Sequence, residues 1–136
     1  MANYKIEDLE GVGEVRGEKL RAAGIKDTDS LLAACLTTKQ RADLAAKVGV
    51  SPKRLLTWAN MADLYRVNGI GSEFAELLEA AGVDTVPELA QRNAANLTAA
   101  MLAANEAKNM TRRVPSEAEV QKWISQAKKL PRLLQY

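Results

Sequence analysis

Apolar residues in this chain recur at the three- and four-residue spacing of an amphipathic helix, and no alternating run is long enough to suggest a strand. Leu55, Trp58, Ala62 and Tyr65 form one such stripe, and Val120, Trp123, Ala127 and Leu130 form another. Capping residues, glycines and prolines divide the pattern into elements. It predicts a short helix over 4–10, a tight turn at Gly11–Gly13, and a helix over 14–23 closed by Gly24. A helix from Asp27 or Thr28 through Leu36 follows, then one capped by Thr38 that ends at Gly49, then one from Pro52 to about residue 66 behind the capping hydroxyl of Ser51. Beyond them lie a second turn at Gly69–Gly71, a helix over 72–81 closed by Gly82, a helix from near Pro87, and one over 97–109 capped by Asn96. Ser116 and Glu119 then form a capping box for a last helix over 117–130, which stops at Pro131.

The pattern occurs twice. With an offset of 58 residues, 6–32 and 64–90 share eight identities, among them the turn glycines, Glu18/Glu76, Leu20/Leu78 and Gly24/Gly82. The tryptophans are 65 apart, so the second copy carries seven extra residues, which the break places within Glu106–Val114. The repeat over 4–60 and the repeat over 61–130 are expected to share one core in a single domain spanning 1–136. Trp58 and Trp123 are expected to anchor it.

Composition narrows the chemistry. The chain has one cysteine, Cys35, and no histidine, which excludes a disulfide framework, imidazole catalysis and the usual zinc sites, and no metal or cofactor is expected. Cys35 sits in an apolar run and reads as a small buried hydrophobe. No stretch approaches the roughly 20 apolar residues of a membrane span, and no signal peptide is evident, so a soluble cytoplasmic protein without a membrane partner is expected. The net charge of +2 is unevenly spread: residues 61–104 carry −4 and residues 105–136 carry +4. Lys108, Arg112 and Arg113, with Lys122, Lys128 and Lys129, make the last quarter a candidate basic patch.

The segments Leu9-Glu10-Gly11-Val12-Gly13 through Gly24-Ile25 and Val67-Asn68-Gly69-Ile70-Gly71 through Gly82-Val83 resemble helix-hairpin-helix motifs. The stretch from Trp58 to Thr85, with Arg112–Ser116 and Trp123–Lys128, further resembles a bacterial family of unknown function whose members are often labelled flap-endonuclease-like. The resemblance implies an all-α, SAM/HhH-like fold, with two helix-hairpin-helix units in a pseudo-twofold arrangement and connector helices between them. It also implies phosphate contact by backbone amides at the Gly-hydrophobic-Gly turn, read without regard to base sequence. Residue by residue, that places Gly11, Val12 and Gly13 with Arg16 and Lys19 at one turn, and Gly69, Ile70 and Gly71 with Arg66 at the other. Glu73, Glu76 and Glu79 crowd the second turn with negative charge, which favours the first as the binding one.

The expected function is therefore non-catalytic binding of a DNA or RNA backbone, with no small-molecule substrate. The acids lie scattered on helix surfaces without the strand framework that gathers metal-binding carboxylates in a nuclease. The alternative is a protein-interaction or scaffold module that keeps the fold and has lost the phosphate site.

Overall fold

The computed structural model describes residues 2–136. Among them are eight α-helices and no strand: α1 (Gly13–Ala22), α2 (Thr28–Ala34), α3 (Thr38–Val48), α4 (Pro52–Leu64), α5 (Ser72–Ala80), α6 (Val86–Ala90), α7 (Ala94–Lys108) and α8 (Glu117–Lys129). Among the described residues no helix is long and apolar enough to cross a membrane. The chain divides into two compact units. The first comprises residues 3–63 with 133–136, and the second comprises residues 64–132 with Ala2.

In the first unit α1 packs against the segment that precedes it and against α3, and α2 packs against α3. Ile6, Leu9, Val12, Leu20, Ile25, Leu31, Leu55 and Trp58 are buried. The helix expected over 4–10 shrinks to a single 3-10 turn, Ile6–Asp8. Its backbone groups bond sideways rather than up a helix: the Ile6 amide donates to Lys26 O at 3.0 Å, and the Thr28 amide donates to Tyr4 O at 2.9 Å. Helix α1 closes as expected, with Gly24 left-handed and the Ile25 amide reaching back to Leu20 O at 2.9 Å.

Side-chain oxygens guard most helix starts. Asp27 caps α2 in a reciprocal box with Ser30. The cap of α3 is Thr37, not Thr38, because Thr37 is extended and Gln40, three residues on, returns a bond to its amide. The cap of α7 is Asn93, not Asn96: its Oδ1 accepts the Asn96 amide at 3.1 Å, so the helix begins three residues earlier than expected. Thr85 caps α6, and Ser116 caps α8 with Glu119.

In the second unit α8 lies against α6 and α7, and α5 against α7. Leu64, Ile70, Leu77, Leu78, Leu89, Leu97, Met101 and Ile124 are fully or almost fully buried there. The seven extra residues fall within Glu106–Val114 as expected: α7 runs two residues past the position in register with the end of α3, and the six-residue loop 110–115 stands where the first unit has Val50 alone. Asn109 ends α7 in the left-handed region, as Gly49 ends α3, and the Asn105 side chain bonds Met110 N, Thr111 N and Thr111 O to hold the loop.

One ion pair gives the first unit a pH signature. The Arg21 guanidinium bonds both carboxylate oxygens of Glu7 and holds that carboxyl down to about 2 from its ordinary 4.5. Because the folded value lies below the unfolded one, the contribution is complete above pH 4.5 and is lost as pH falls toward 2. Glu7→Gln is expected to flatten the acid limb of stability between those values, measured as urea midpoints across the pH range. An unchanged limb would show that the pair adds nothing.

Candidate nucleic-acid interface

The two glycine turns start from the same local rule and end in different surroundings. Gly11 has φ +88 and Gly69 has φ +97, a backbone conformation that L side chains rarely adopt. Each also has a tryptophan against it: a Cβ on Gly11 would lie 3.2 Å from Trp58 Nε1, and one on Gly69 would lie 2.8 Å from Trp123 Nε1. Both indoles are 3% exposed, which makes the tryptophans the anchors expected of them rather than surface platforms for bases. Each unit thus repeats one device, an indole N–H edge pressed under the first glycine of the turn.

At the first turn the backbone lies open. Gly13 is exposed, and a Cβ built on it would meet nothing within 4 Å. The N-cap of α1 is Val12, which has no side-chain oxygen, so the amides that open the helix have no capping acceptor. Arg16 folds back to donate to Gly11 O at 2.9 Å, which sets its guanidinium beside the turn. Lys19 follows one helical turn later, and with Val12–Arg16 and Val48–Val50 it lines a hollow of about 510 Å³. Glu14 is the one carboxylate in that lining. Gly11, Val12, Gly13, Arg16 and Lys19 are therefore brought together.

A third cation, Arg54, stands at this turn. The Arg54 guanidinium lies 6.0 Å from the centroid of the Trp58 ring, and one of its nitrogens would be 3.9 Å from a Cβ on Gly11. Arg54 stands four residues before Trp58 on α4, on the same face. That spacing was visible, but nothing in the sequence said that this face meets the turn.

The second turn reverses these features. In register, Phe74 replaces Arg16, the buried Leu77 replaces Lys19, and Glu119 replaces Arg54. Phe74 packs on Trp123 with ring centroids 5.3 Å apart. The Asn68 amide donates to Gln126 Oε1 at 2.9 Å, and Gln126 Nε2 donates to Asn68 O at 3.2 Å, which clamps the turn to α8. One feature is kept: helix α5, like α1, has no side-chain capping bond, its N-cap being Gly71 where that of α1 is Val12. Ile70 is buried, and Arg66 is half-buried and donates to Pro131 O at 3.2 Å.

The basic residues of the last quarter do not behave alike. Arg113 sits 5.2 Å over the Phe74 ring and donates to both carboxylate oxygens of Glu119, at 2.7 and 3.1 Å, a fork that holds that carboxyl below its ordinary range. Its charge is already matched. Lys108, in the last turn of α7, and Arg112, in the loop, are exposed. Cys35 is fully buried, and that burial pushes its thiol up to about 11, the state of an inert core residue. Among the described residues no group of three or more His, Cys, Asp and Glu side chains is placed to hold a metal ion.

Neither a curated protein nor a solved structure matches the chain. A family model described as a domain of unknown function (DUF4332) matches residues 10–130, a span that includes both glycine turns and all eight helices, and the chain belongs to that family.

Proposed function

We propose that the protein is a non-catalytic, sequence-independent binder of nucleic-acid backbone, that both glycine turns are helix-hairpin-helix elements, and that the first one makes the contact. The observation that carries the reading is the start of α1: amides without a side-chain cap behind an exposed glycine, with Arg16, Lys19 and Arg54 around them. Helix-start amides and the helix dipole favour a phosphate, and guanidinium and ammonium groups add the long-range attraction. None of these groups reads a base edge, hence the indifference to sequence. Lys108 and Arg112, exposed in the second unit, are further candidates for phosphate contact. Binding of this kind belongs in the cytoplasm, where a lone thiol also stays reduced.

A second reading has its own support. Phe74, Leu77 and Glu119 stand where the first turn has cations, and Glu73 lies in the first turn of α5, so the second unit suits an architectural or protein-contacting role. Fluorescence anisotropy with a labelled duplex and a labelled single strand separates the two. Engagement of three phosphates is expected to give binding at low salt that weakens with a log-log slope of about −3 on duplex. Absence of binding at low salt would leave the protein-interaction reading.

A further inference from the structure

After α8 the backbone turns extended at Leu130, passes Pro131, and residues 133–136 return to the first unit. There Gln135 meets the junction between α2 and α3 through three of its groups. Its amide donates to Leu36 O at 2.8 Å, its side-chain Oε1 accepts the Thr38 amide at 2.9 Å, and its carbonyl accepts from Arg41. Leu134 beside it is 1% exposed, whereas Leu133 and Tyr136 are 39% and 45% exposed, so Leu134 is the apolar side chain that the segment buries.

Arg41 is the unusual partner. It is 3% exposed, and its guanidinium donates to backbone carbonyls, those of Cys35 at 2.8 Å, Leu36 at 3.3 Å and Gln135. Among the described residues no carboxylate pairs with it, although a buried cation ordinarily takes one. Three backbone carbonyls accept its bonds, and one of them is supplied by a segment more than ninety residues away.

We propose that residues 133–136 act as a releasable latch on the α2–α3 junction, opening locally while the helices stay folded. Opening breaks the three Gln135 bonds and lifts Leu134 out, and it returns the Arg41 guanidinium to water. The hydration that Arg41 regains offsets part of the lost bonding, which makes this segment cheaper to release than an equal length of apolar core. The junction it holds includes the start of α3, whose last turn walls the hollow at the first turn.

Cys35 reports the opening, because it is the chain's one cysteine, is fully buried and directly precedes Leu36. Alkylation by iodoacetamide, followed by mass on the full chain in urea below the unfolding transition, tests the latch against tryptophan fluorescence as the measure of global unfolding. Labelling is expected to run at least about tenfold faster than global unfolding allows, with a weaker dependence on urea. Leu134→Ala is expected to speed it by a further factor of about ten while helical circular dichroism is unchanged. Labelling of the native sequence that follows global unfolding in both rate and urea slope would overturn the proposal, as would a Leu134→Ala rate that rises only in step with lost global stability.

Discussion

Alanine at Gly69 is expected to remove about 3 to 5 kcal/mol of folding stability, from the strain of an L residue at positive φ together with overpacking. Two independent penalties meet at this position. At φ +97 any side chain is strained, and the new methyl would lie 2.8 Å from Trp123 Nε1. The indole has nowhere easy to go, because Phe74 packs on its ring and Gln126, one turn along the same helix, is bonded to both backbone groups of Asn68. Gly13→Ala is the natural comparison. Gly13 also has positive φ, at +69, yet a methyl there enters open space, so only the conformational penalty of about 1 to 2 kcal/mol applies. Urea unfolding of both variants, followed by tryptophan fluorescence, measures the difference. Equal losses at the two positions would mean that Trp123 yields without cost and that the indole is no structural part of the turn.

Reversing the charges of Arg16 and Lys19 together, as Arg16→Glu with Lys19→Glu, is expected to weaken binding to a labelled duplex at low salt by at least about 100-fold, and to reduce the salt slope by roughly two phosphate contacts. Both residues are exposed on α1 beside the uncapped amides, so the change acts where the backbone phosphate is proposed to sit. Arg113→Gln supplies the control. Arg113 is forked onto Glu119 and stacked over Phe74, and its loss is expected to leave affinity within about threefold. The order of effects is the test: a larger loss from Arg113→Gln than from the double reversal would move the contact to the second unit. Circular dichroism on each variant separates weakened binding from a weakened fold, since Arg16 also bonds Gly11 O.

These expectations differ in how much of them was visible in the residues alone. The repeat, the turn glycines and the closing glycine Gly24 were readable because they obey local rules, in which only glycine takes positive φ without strain. Helix starts were readable to within about three residues. Where two capping residues compete, as Thr37 with Thr38 and Asn93 with Asn96, the extended conformation of the first decides, and that depends on how the chain enters the helix. The segment before the first turn departs from the helix its residues predict for a related reason. Its composition permits a helix, but its amides and carbonyls are taken by residues 26–28, a competition between local and distant partners that a local pattern does not contain.

The candidate site divides along the same line. Gly11, Gly13, Arg16 and Lys19 lie within nine residues of each other on one turn and one helix, so their convergence was legible. Arg54 was not, since it reaches the turn by way of Trp58 from a helix some forty residues on. Arg113 had the composition of a phosphate ligand, and only its fork onto Glu119 shows that its charge is already used.

From its sequence alone, then, this protein was committed to helices, to two copies of a glycine turn and to a tryptophan for each, because hydrophobic period, capping and allowed φ act over a few neighbouring residues. Tertiary structure decided which turn stays open, which cations stand free beside it, and where residues 133–136 dock. Those outcomes depend on which side chains from distant segments arrive at the same place, and contacts of that kind leave no periodic mark on the chain.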